Sequence, residues 1–304
     1  MYFFLFEFDF IVFDIKFYMT TIPNRQNFFP WYGYLGGIVC LISWYFNWSI
    51  DGLRTHIIFF PLWLGYCLFI DALVKKRKGK SLLSKSWKRY IGLFILSIPV
   101  WWFFELINLR TQNWQYVGRE HFSDLSHFLY SSLCFSTVIP AVFGTAEFFS
   151  SFSWLKRCGP GPRIPSHKSG LTILFIIGII GLMLLLLLPD IFYFFVWLSV
   201  FFIMDVINHL LGNRSLVAHS DRRDWKPMIA LALGCLVCGF FWEMWNFYAY
   251  PKWIYHTPGV EFFYLFEMPI LGYLGYIPFS FELFAFYHLV TMNSQQEKNY
   301  YLEV

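Results

Sequence analysis

The sequence predicts an all-α, polytopic membrane bundle of about eight transmembrane helices in two tandem four-helix repeats. Three observations lead there. The chain is 58% hydrophobic and only 14% charged, whereas soluble domains carry about 25% charged residues. Apolar runs of roughly 20 residues, the length that crosses the hydrocarbon core, recur along it. Basic residues collect in alternate connections, with 19 of the 23 lysines and arginines on one side, the asymmetry expected of cytoplasmic loops.

Residues 1–30 read as a leader. Glu7, Asp9 and Asp14 interrupt the stretch from Met1 to Tyr18, which lacks the basic start and small-residue cleavage site of a signal peptide. Met19 opens a more ordinary soluble leader and is a second candidate start. Spans follow near 32–50, 56–74, 90–109, 125–149, 170–188, 191–211, 228–250 and 260–290. The last is interrupted by Pro269, Gly272, Gly275 and Pro278, which predicts a bent or discontinuous helix. The resulting division is a first membrane repeat over 31–150, a cytoplasmic linker over 151–169, a second repeat over 170–292 and a tail over 293–304. Both termini fall on the lysine-rich side, as in a multi-pass protein of a bacterial inner membrane. Aromatic residues reach 24% and suit lipid-facing surfaces and interface belts.

Self-similarity carries the two-repeat expectation. Trp63-Leu64 is followed eight residues on by Asp71, then by Gly79 and Ser81-Leu82; Trp197-Leu198 is followed eight on by Asp205, then by Gly212 and Ser215-Leu216. Glu105, Asn108 and Trp114-Gln115-Tyr116 are answered by Glu243, Asn246 and Trp253-Ile254-Tyr255. An even number of spans per unit makes the repeats parallel, about an axis along the bilayer normal.

Glu105 with Asn108, and Glu243 with Asn246, are the candidate catalytic residues. At i and i+3 each pair shares a helix face, and an intramembrane carboxylate is costly unless it meets a cavity or a partner. Two readings stand: a site of two carboxylates able to supply a proton or steady a carbocation, or hydrogen-bond clamps between helices. Trp114, Tyr116, Trp253 and Tyr255 at the outer boundary, with Glu267 and Glu282 in the interrupted last span, are the candidate substrate-binding residues. Asp71 runs into Lys75, Lys76 and Arg77 and reads as an interfacial ion pair. His121, Asp124 and His127 drift round a helix at i, i+3 and i+6 and read as interface residues rather than a metal site. Gly79-Lys80-Ser81 lacks the earlier glycine of a phosphate-binding loop, which excludes a nucleotide site there; the sequence does not identify a cofactor. Five of the six cysteines, all but Cys158, lie within spans, so no disulfide framework is legible. The basic residues are not interleaved with aromatics, which argues against nucleic acid.

The order Trp253-Ile254-Tyr255, Gly259, Pro269, repeated as Trp114-Gln115-Tyr116, Gly118, Pro140, resembles the lycopene cyclase domain of the heterodimeric or fused type, a family of paired small membrane repeats. The family's Pro-x-Glu-Glu acid pair is absent: Pro269 is followed by Ile270 and Leu271, and Pro140 by Ala141 and Val142. The resemblance implies that Glu243, Glu267 and Glu282, with Glu105, would steady a cationic intermediate. The expected function is thus a membrane-embedded enzyme acting on an isoprenoid or other membrane lipid. A transporter or flippase of two parallel halves, and a structural or assembly protein, are the alternatives.

Overall fold

A computed structural model describes residues 28–292 and 300–304. The expected leader up to residue 27, with Lys16 and Arg25, and residues 293–299, with Lys298, lie outside them. Six helical segments are long and apolar enough to cross a membrane: Thr55–Lys78, Trp87–Thr111, Asp124–Ser150, Lys168–Leu187, Lys226–Phe247 and Ile270–Thr291. Trp31–Ser49 and Phe195–Leu210 are also helical, at 19 and 16 residues. The helices, in chain order, are α1 (Trp31–Ser49), α2 (Thr55–Lys78), α3 (Leu82–Lys85), α4 (Trp87–Thr111), α5 (Asp124–Phe135), α6 (Val138–Ser150) and α7 (Ser153–Lys156). They continue as α8 (Lys168–Leu187), α9 (Pro189–Phe192), α10 (Phe195–Leu210), α11 (Leu216–Asp221), α12 (Lys226–Phe247) and α13 (Tyr276–Thr291).

Close helix approach depends on small residues, because within lipid it is packing rather than water exclusion that drives association. A Cβ on Gly65 of α2 would lie 2.6 Å from the Gly36 carbonyl of α1. One on Gly234 of α12 would lie 2.7 Å from the Ala146 amide of α6, and one on Gly178 of α8 2.9 Å from the Ser199 carbonyl of α10. Between these contacts the centre is filled by aromatic rings. Trp63 and Trp245 are fully buried and 4.9 Å apart, edge to face, with Trp242 5.1 Å from Trp63.

Four short strands join the helices: β1 (Trp114–Val117), β2 (Lys252–Tyr255), β3 (Tyr264–Leu265) and β4 (Met268–Pro269). β1 and β2 pair antiparallel, with Trp114 opposite Tyr255 and Tyr116 opposite Trp253. The fold is all-α as expected, and these short strands bring together two chain segments read as separate boundary anchors. The last span is discontinuous, as its prolines and glycines predict, and its α-helix starts later than expected. Its first part forms the β3–β4 hairpin and a 3-10 turn over Ile270–Gly275, and the α-helix begins only at Tyr276. The interrupting Pro269 cannot donate to a helix ladder, and a following stretch with two glycines holds helix weakly.

The acids at the lysine-rich end act as caps. Asp71 accepts hydrogen bonds from Ser81 Oγ at 2.7 Å, the Leu83 amide at 3.0 Å and Tyr32 OH at 2.8 Å, instead of bonding to the lysines that follow it. Asp205 accepts from the Leu216 and Val217 amides, both at 2.8 Å. Each carboxylate therefore satisfies amides at the start of the next short helix, α3 or α11, that have no intrahelical partner.

Beside Asp205's loop, Arg214 donates through Nε to His219 Nε2 at 3.4 Å, and His219 Nδ1 faces Asp224 at 3.3 Å. Burial, reinforced by Arg214 and Arg222, pulls the His219 pKa down to about 4. A histidine held below its unfolded value of about 6.5 is neutral when folded, so the unfolded chain binds more protons between those limits. Stability is thus expected to fall as pH drops from 7 to 4, by up to about 3 kcal/mol from this residue. Thermal unfolding of the detergent-solubilised protein across that range checks it; His219→Gln should flatten the dependence.

Candidate functional site

The four boundary aromatics lie on β1 and β2, and each strand is held by an asparagine near the end of the helix that precedes it. Asn108 of α4 donates to the Trp114 carbonyl at 2.8 Å and accepts from its amide at 3.3 Å. Asn246 of α12 does the same for Trp253, at 2.7 and 3.0 Å. A side-chain amide matches a peptide group donor for acceptor, so both asparagines serve as backbone clamps. The bonds of Asn108 and Asn246 run to the strand following their own helix, which is neither a two-carboxylate site nor a clamp between helices.

The glutamates one turn away do something else. Glu105 Oε1 accepts from Tyr116 OH at 2.6 Å, Trp101 Nε1 at 2.9 Å and Trp114 Nε1 at 3.0 Å. Glu243, fully buried, accepts through Oε1 from Tyr276 OH at 2.5 Å and Tyr255 OH at 2.7 Å, while Trp253 Nε1 donates to Tyr255 OH at 2.8 Å. Oε2 of Glu243 has no hydrogen-bond partner among the described residues. Burial, and then the facing carboxylates, push the Tyr116 and Tyr255 hydroxyls well above the usual phenol range, so both remain protonated donors.

In front of these tyrosines lies a cavity of about 190 Å³. Its walls carry all four strand aromatics, with Trp101, Trp197, Trp242 and Tyr276 from the helices and polar edges at His56, His127 and Ser131. Trp114 and Trp197 stack with centroids 6.2 Å apart at 11°, giving one flat wall. Neither glutamate lines the cavity; each reaches it through tyrosine. Cations are held at the rim: Lys252 pairs with Glu267, and Arg119 with Asp124.

Glu267 is thus a salt-bridge partner beside the cavity rather than a wall residue. Glu282 is fully buried on α13, one turn past the wall residue Phe279, and neither carboxyl oxygen has a hydrogen-bond partner among the described residues. His121 bonds Tyr250 OH at 3.0 Å and Asp124 faces Arg119, so His121, Asp124 and His127 do not converge. No group of three metal-ligating side chains occurs among the described residues. Sequence reasoning missed His56, Trp101, Trp197, Trp242 and Tyr276. For Tyr276 a signal existed in the run of aromatics after Gly272, but nothing local links it to Glu243.

No protein-family model, curated protein or solved structure matches the chain.

Proposed function

We propose that the chain is a multi-pass membrane enzyme of eight spans and two parallel repeats, acting on an isoprenoid or another unsaturated lipid. The observation that carries this reading is the pair of carboxylates, Glu105 and Glu243, each bonded to tyrosines whose rings wall a single aromatic cavity. Tryptophan and tyrosine faces attract cations, worth about 2 kcal/mol or more where water is absent. With the carboxyl protonated, its proton can pass through the tyrosine hydroxyl to a substrate double bond, the hydroxyl taking up the carboxyl proton as it gives up its own and leaving a carboxylate behind. The carbocation so formed is steadied by the ring faces, and a neighbouring carbon then returns a proton. The net change is a double-bond shift or ring closure that consumes no co-reactant. The earlier resemblance to the lycopene cyclase domain agrees with this chemistry, although here the carboxyls act through Tyr116, Tyr255 and Tyr276.

Support for duplication comes from recurring contacts. Asp71 and Asp205 cap the helices that follow them, and Asn108 and Asn246 hold strands that pair with each other. Eight crossings follow if α1 and α10 span with the other six. The lysine-rich connections then support cytoplasmic termini, and the reading takes the membrane to be a bacterial inner membrane.

The test is mass spectrometry of small molecules copurifying with the solubilised protein, wild type against the double variant Glu105→Gln, Glu243→Gln. The expected result is a bound isoprenoid or lipid that is lost or accumulates unconverted in the folded double variant. An identical, nonspecific lipid profile in both would remove the basis for the enzyme reading.

A further inference from the structure

The segment Tyr300–Val304 lies in a groove at the lysine-rich end, the end opposite the aromatic cavity. Tyr301 is 5% and Leu302 1% exposed. The groove reads the segment's backbone group by group. Lys85 Nζ donates to the Tyr301 carbonyl at 2.8 Å, and Arg214 donates to the Leu302 and Val304 carbonyls, both at 2.8 Å. Ser150 Oγ and Lys78 Nζ donate to the Glu303 carbonyl at 3.0 and 3.2 Å. Glu147 Oε1, from a fully buried side chain on α6, accepts the Glu303 amide at 2.8 Å. The Glu303 carboxylate meets Lys80 at 2.7 Å and Lys85 at 3.3 Å. Burial works against its charge, yet Lys80, Lys85 and Lys78 hold its pKa below the usual carboxylate range.

A single pair would mean little; the set does not. Arg214 is 4% exposed and reaches the groove from the loop after α10, whereas Lys78, Lys85, Glu147 and Ser150 come from α2 to α6. Without an occupant, Arg214 would lose both carbonyl partners that its Nη groups hold, and buried polar groups are costly to leave unpaired. The lining is complementary to a peptide backbone, with one apolar slot for Leu302 and a lysine cluster for Glu303. This is how grooves select an extended segment: backbone bonds give affinity and side-chain pockets give choice.

We propose that this groove is a peptide-binding site occupied in cis by residues 300–304, which act as a detachable strap across the two halves of the bundle. Its ligand is an extended peptide with a leucine followed by an acid. The proposal does not depend on the enzyme reading.

The test uses a fluorescent peptide with the sequence of residues 300–304 and the detergent-solubilised chain ended at Asn299. Saturable anisotropy is expected with the shortened chain. Binding should be about tenfold weaker or more to the intact chain, whose groove is filled. It should also weaken between 0.05 and 0.5 M KCl because the lysine contacts are screened, and when the glutamate in the peptide becomes glutamine. A folded, monodisperse shortened chain that shows no saturable binding, or an intact chain that binds equally well, would overturn the proposal. If the shortened chain does not fold, the intact chain carrying Val304→Cys is alkylated instead and the modification is read at that residue by mass spectrometry. Alkylation that accelerates with salt and with excess free peptide supports a detachable strap; a rate indifferent to both rules it out.

Discussion

Gly234→Leu is expected to abolish folding, and Gly234→Ala to cost about 2–3 kcal/mol, at the upper end of what overpacking a well-filled interior costs. The reason is the Ala146 backbone. A Cβ at residue 234 would approach the Ala146 amide nitrogen to 2.7 Å and its Cα to 2.9 Å, and a helix backbone cannot move aside as a side-chain tip can. Relief requires α6 and α12 to separate, which would loosen the seam along which Trp63, Trp242 and Trp245 pack. Size-exclusion profiles after stepwise heating in detergent measure the effect. Gly92, whose added Cβ would meet nothing within 4 Å, is the control: Gly92→Ala should leave the profile unchanged or improve it slightly.

Asp205→Ala is expected to destabilise the protein by about 4 kcal/mol, since two buried amides lose their only named acceptor at about 1–3 kcal/mol each. Asp205→Asn keeps one acceptor oxygen, orphans one amide and should cost about half as much. Equal losses for the two variants would show that the negative charge, rather than the acceptor count, holds α11. Unfolding in increasing denaturing detergent ranks the three proteins. Asp71→Ala should follow the same order, with Ser81, Leu83 and Tyr32 all losing their acceptor.

The membrane helices were legible because length and apolarity are local properties. So was the i, i+3 placement of Glu105 with Asn108 and of Glu243 with Asn246. Their separate duties were not legible. Whether a carboxylate meets a phenol or a backbone amide depends on where a strand from elsewhere lies, and the strands themselves left a weak trace. Trp114–Val117 and Lys252–Tyr255 are four residues each, with partners more than a hundred residues away in sequence, so their register is a tertiary outcome. Asp71 misled for a related reason: adjacent lysines suggested an ion pair, while the fold presents it to Ser81 and Leu83. Tyr276 and Trp197 reach the cavity from helices whose angles no local pattern specifies.

The β1–β2 ladder has a mechanical consequence. It ties the two sides of the molecule at the cavity end, the Gly234–Ala146 contact seats them in the middle, and the Tyr300–Val304 segment ties them at the far end. With the strap seated, these three ties resist rocking of the two sides as rigid shells, and a pathway opening alternately to either face would have to shear the strand pair. The cavity wall formed by Ile270–Gly275 lies outside these ties, with Gly272 and Gly275 bordering the cavity and Ile270, Leu271 and Leu274 turned outward. If the guest is a lipid, as proposed above, that wall is where it would enter sideways from the bilayer.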